Sequence, residues 1–150
     1  DLGLAPSQLT LVRAPTVQGA LQAGLEAARC SSLAALIVEF WGESRSYDLT
    51  ASRRLSLAAK DSRLRLFLVR HAARVMASAA ETRLSVKGLA SQALAANAPG
   101  AAAFEITLLR QRAGGSGQIW QVEWNSETAA LQESPLAPAA PHTTGLRRTG

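Results

Sequence analysis

A chain of 150 residues, 47% of them hydrophobic, has the size of one domain and enough apolar side chain to build a core. Its one cysteine, Cys30, excludes an internal disulfide and a cysteine-built metal cage, which fits a reducing, cytoplasmic setting, and neither an export signal nor a run near the roughly 20 apolar residues of a membrane-crossing helix is present. A net charge of +5 favours an acidic partner.

The first apolar run, Leu9 to Arg13, is expected as a strand, and Thr16 is placed to cap a helix over Val17 to Arg29. Val17, Leu21, Leu25 and Ala28 fall on one face of that helix. Ser31 and Ser32 end it, and Ala34 to Trp41 is the most strand-like run in the chain. Gly42 to Asp48 forms a polar connector. A second helix is expected from about Thr50 to Ser62, with Leu55, Ala58 and Ala59 on its buried side, followed by a strand over Leu64 to Arg70. Strands alternating with helices of this length belong to right-handed crossovers, so the three runs are expected parallel in one sheet and buried on both faces.

Beyond residue 81 the period changes. Thr82 to Lys87 alternates, and so do Phe104 to Leu109 and Ile119 to Trp124, the last two joined by the glycine-rich segment Ala113 to Gly117. Alternation on both sides of such a link predicts an antiparallel hairpin. From Ser126, and plainly after Glu133, Pro, Ala, Thr and Gly dominate with few apolar anchors, which predicts a disordered tail over 126–150 behind a core over 1–125.

Ten Lys or Arg side chains lie between Arg45 and Lys87, against only Asp48, Asp61 and Glu81. Arg53, Arg54, Arg70 and Arg74 are the candidates for DNA phosphate contacts, although a basic run is also the pattern of a solvated face. Trp120, Val122 and Trp124 share a strand face, which favours packing or a protein interface over base stacking. Arg110 and Arg112 are spaced to point to one side of the adjacent strand. Trp41 is open to the same two readings. No Ser, His and Asp spacing matches a nucleophile elbow, and Asp48, Asp61 and Glu81 show no acid–base pairing, so no enzyme site is assigned and no cofactor is expected.

Taken in order, LTLVRAPTVQGALQAGLEAARCSSLAALIVEFWG, TASRRLSLAAKDSRLRLFLVRHAA, AAETRLSVKGL and FEITLLRQRAGGSGQIWQVEW resemble the RecA-like core, and within it the ImuA family of SOS mutagenesis proteins, over about residues 3 to 125. The most telling part is R-Q-R, a Gly-rich turn and W-x-V-E-W. The resemblance implies a RecA-like, mostly parallel α/β sheet flanked by helices and ending in the hairpin. It also implies a cytoplasmic, damage-inducible accessory protein of translesion synthesis that docks a Y-family polymerase homologue, with RecA and DNA, weakly and without sequence preference, as further contacts. It gives Glu39 the strand-end position of a magnesium-orienting acid and His71 that of a residue sensing the γ-phosphate, both vestigial here. Arg110 and Arg112 take the place of a basic pair that crosses a filament interface, and with Trp120 and Trp124 they make the candidate partner-binding end.

No G-x-x-x-x-G-K-[ST] occurs in the chain, so the phosphate cradle of an ATPase has no assigned residues, and a fragment or shortened homologue is expected. Two alternatives stay open. One is a SulA-like division inhibitor that binds FtsZ, and the other a RecA-like ATPase whose phosphate loop lies upstream of Asp1.

Overall fold

The computed structural model describes residues 4–91 and 100–134. The chain is mixed α/β, with a two-stranded parallel sheet and a four-stranded antiparallel sheet. Where one core over 1–125 was expected, two compact units are found, Leu4–Glu81 and the part from Thr82 onward.

The first unit is a helix followed by a βαβ crossover. Helix α1 (Val17–Ala27) begins where expected, its Thr16 Oγ1 accepting a 3.1 Å hydrogen bond from Gly19 N–H. Strand β1 (Ala35–Trp41) leads through helix α2 (Leu49–Asp61) to strand β2 (Arg65–His71). β1 and β2 pair in parallel from Ala35 opposite Arg65 to Trp41 opposite His71. The cap of α2 lies inside the connector: Asp48 Oδ1 accepts from Ala51 N–H at 2.7 Å. The helix ends in a Schellman motif, with Leu64 N–H donating to Ala59 O at 2.8 Å and Arg63 N–H to Lys60 O at 3.2 Å. Arg63 adopts a φ of 57° to make that turn.

Both helices cover the same side of the sheet. Leu21, Val38, Phe40, Tyr47 and Leu55 form the buried cluster, with Val17, Leu25, Leu36, Leu66 and Leu68 packed against it. The approach of α1 to β1 is close enough that a Cβ on Gly24 would lie 2.6 Å from Val38 Cγ2.

Two expectations for this unit are corrected. Leu9 to Arg13 forms no strand: it follows a single 3-10 turn (Pro6–Gln8) and has no ladder partner, and Leu9, Leu11 and Val12 are exposed. An apolar run is held as a strand by its neighbours rather than by its own propensity, and here no neighbour is offered. The second correction concerns burial. With both helices on one side, the alternate residues Ile37, Trp41, Phe67 and Val69 face outward and are exposed, so the parallel pair is covered on one face only.

The second unit runs β3 (Thr82–Leu89), β4 (Ala103–Gln111), β5 (Ile119–Asn125) and β6 (Ala130–Glu133), each antiparallel to the next. The expected β4–β5 hairpin is present, and Gly114, Gly115 and Gly117 take the positive φ angles of its link. The pairing of β3 with β4 shifts between Arg83, opposite Arg110, and Leu84, opposite Leu108, so that Leu109 is an extra residue in β4.

The tail expected from residue 126 is corrected over its first part. Asn125 Oδ1 accepts from Glu127 N–H (2.9 Å) and Thr128 N–H (3.1 Å), a local turn that returns the chain as β6 alongside β5. The rest of that expected tail, 135–150, lies outside the described residues.

Candidate functional site

The carboxyl ends of parallel strands are where α/β sheets bind ligands, because the loops leaving them converge there. In the first unit that edge carries Glu39, Phe40 and Trp41 from β1 with Gly42 just beyond it, and Val69, Arg70 and His71 from β2. Gly42 turns away at a φ of 72°, its N–H held by His71 O at 2.8 Å. Strand alternation divides these side chains between the two faces.

On the uncovered face, His71 Nε2 lies 2.6 Å from Glu39 Oε1, and the imidazole stacks on Trp41 with ring centroids 4.1 Å apart and planes 14° from parallel. The two residues singled out as vestigial nucleotide-site positions are thus brought together and satisfy one another. His71 is the last residue of β2, and Glu39 pairs with it across the two strands. The Trp41 side chain is 66% exposed, so core packing does not explain it. A Glu–His pair of this geometry can relay or hold a proton. Among the described residues no group of three His, Cys, Asp or Glu side chains converges.

On the helix-covered face, Arg70 projects beside Phe40, its partner in register. Its guanidinium carbon lies 5.2 Å from the centroid of Tyr47 and 6.0 Å from that of Phe40, two rings that meet edge to face at 5.6 Å. Arg70 Nη1 donates to Arg74 O at 3.1 Å. A pocket of about 460 Å³ opens here, lined by Arg45, Tyr47, Arg70 and Arg74 together with Glu43, Ser44 and Met76.

The four basic candidates therefore divide between two places. Arg53 and Arg54 are exposed on α2, where Arg54 lines a second pocket of about 680 Å³ with Leu25, Arg29, Leu57 and Asp61, between the ends of the two helices. Arg70 and Arg74 belong to the first pocket. Arg45, Tyr47 and Phe40 were not singled out from sequence; the signal was the matched alternation of β1 and β2, which sets Phe40 and Arg70 on one side.

In the second unit, Arg110 lies within β4 opposite Arg83, while Arg112 falls in the turn beyond Gln111, so they do not occupy one strand face. Trp120, Val122 and Trp124 are on β5 as expected, with Val122 and Trp124 half-buried and Trp120 more open. β5 is not an edge strand: β6 pairs with it, from Val122 opposite Glu133 to Asn125 opposite Ala130.

No family model matches this chain, and no curated protein matches it.

Proposed function

We propose that the protein is a non-catalytic adaptor of error-prone translesion synthesis, of the ImuA kind, that docks a Y-family polymerase homologue in the cytoplasm, with RecA and DNA as weaker contacts. The order of motifs that carries the resemblance supports the family part of this reading. The observation that supports docking over catalysis is the bare face of the parallel pair. Ile37, Trp41, Phe67 and Val69 present apolar side chains to solvent on a type of sheet that is ordinarily covered on both sides.

Magnitudes rank the surfaces. Covering a Val, Ile or Phe side chain contributes about 1.5–3 kcal/mol, whereas an exposed ion pair contributes about 0–1 kcal/mol. The open face is therefore the main source of affinity in this reading. Arg110 and Arg112, both exposed at the end of β4, add selection for an acidic surface, and Trp120 on β5, opposite Ile106, adds apolar area in the same unit.

Co-purification with a Y-family polymerase homologue from the same organism tests the proposal, with circular dichroism as the folding control. The wild-type chain is expected to be captured. Ile37→Ser with Phe67→Ser should abolish capture, and Arg110→Glu with Arg112→Glu should weaken it. Failure of the wild-type chain to bind, or undiminished binding by both double variants, would refute the reading.

A further inference from the structure

We propose that the pocket at the carboxyl ends of β1 and β2 binds a phosphate group, with Arg70 as its fixed cation and Arg45 and Arg74 as its flanking arms. Arg70 carries the inference. Its guanidinium rests against the buried rings of Tyr47 and Phe40, at 5.2 and 6.0 Å. Aromatic faces hold a guanidinium in place and fix its plane, yet they supply no counter-charge. Nη1 is committed to Arg74 O, while Nε is enclosed with no hydrogen-bond partner. Among the described residues no carboxylate lies within ion-pair distance of Arg70.

The surroundings have the same sign. Three arginines line the pocket against one acid, Glu43. That acid reaches Arg74 at 3.6 Å between two largely exposed side chains, a contact that water weakens and a ligand can displace. The volume of about 460 Å³ lies in the range of small-molecule sites, and the place is the strand end at which α/β sheets take ligands. A guanidinium held against two rings and flanked by two further arginines is suited to the tetrahedral oxygens of a phosphate, which accept charge-assisted hydrogen bonds. The same chemistry is offered by a backbone phosphodiester of nucleic acid and by the phosphate monoester of a small molecule. The inference does not rest on the adaptor reading, since phosphate alone probes the pocket.

The test uses the full chain, labelled with ¹⁵N, and follows the arginine Nε–Hε resonances by NMR. The probes are inorganic phosphate, sodium chloride at matched ionic strength, and an oligothymidylate without terminal phosphate. Phosphate is expected to move the Arg70 resonance and chloride to leave it in place. Because a charge-assisted hydrogen bond is worth a factor of about ten or more in affinity, Arg45→Ala with Arg74→Ala should weaken phosphate binding by at least that much. Both side chains sit at the surface, so the double variant spares the core, and Arg70→Lys, which keeps the charge and loses the fork, should also bind more weakly. Tighter binding of the oligonucleotide than of phosphate, centred on Arg70, assigns the nucleic-acid backbone as the source. Binding of phosphate without the oligonucleotide assigns a monoester and leaves the pocket standing while DNA contact falls. An Arg70 resonance that moves with no probe, or equally with chloride, overturns the proposal, as does equal phosphate binding by the double variant.

Discussion

At the scale of single residues, the backbone departs from local preference at Arg63, as it does at Ala72 and Ala129. Arg63 holds a φ of 57° at the position after the α2 cap, a conformation that is disfavoured by roughly 1–2 kcal/mol for a residue with a Cβ. Glycine removes that strain but adds freedom to the unfolded chain, an opposing effect of about 0.4–1 kcal/mol. Arg63→Gly is therefore expected to raise stability by about 0.5 kcal/mol, seen as a higher urea midpoint at unchanged slope. A lower midpoint would show that the arginine side chain holds the turn by a contact of its own. Gly24 presents the reverse case. Alanine at that position gains about 1 kcal/mol of helix propensity, but its methyl group would meet Val38 Cγ2 at 2.6 Å, on a β-branched side chain with little freedom to turn aside. Overpacking of this kind costs about 1–3 kcal/mol, so Gly24→Ala should be destabilising on balance. A thermal melt unchanged or raised by the substitution would mean that α1 can lift off β1 at little cost.

The elements show how far local signals reach. α2 is capped by Asp48, and removal of such a cap costs about 1 kcal/mol, so Asp48→Ala should lower stability by about that much while Asp48→Ser should restore most of it. Equal stability of all three chains in denaturant titration would deny the cap its role. Both helices were legible in the sequence because their apolar positions recur at helical spacing; Thr16 marks the start of α1, whereas Asp48, the cap of α2, reads in the sequence as part of the connector. The hairpin was legible too, since alternation on both sides of a glycine-rich link admits few other folds. Leu9 to Arg13 was not, because the same apolar alternation serves a strand and an extended segment alike, and only a neighbouring ladder distinguishes them. β6 was overlooked for the converse reason: four exposed residues carry little pattern, and the strand depends on the turn that Asn125 builds before it.

For the molecule as a whole, the distribution of charge sets what DNA binding can look like. If Arg53, Arg54, Arg70 and Arg74 all contact duplex phosphates, log K should fall with log salt at a slope of about −3.6, whereas one pair acting alone gives about −1.8. The structure divides these residues between α2 and the strand-end pocket, which favours the smaller value for a short duplex. Fluorescence anisotropy across a salt series measures the slope directly. An affinity insensitive to salt would return the basic residues to the role of a solvated face.

Much of the candidate site was present in the sequence as positions without geometry. Glu39 and His71 were singled out through the family resemblance, but 32 residues of chain separate them, and the 2.6 Å contact exists only because β1 and β2 align in parallel register. Composition, helical period, capping residues and the hairpin follow from interactions within a few residues of one another, and the sequence by itself determined them. Which face of the parallel pair stays bare, which apolar run fails to become a strand, and which arginines share a pocket depend on what packs against what. Those outcomes were decided by the tertiary structure, since burial is a property of neighbours distant in the chain and alternation cannot say which side they will occupy.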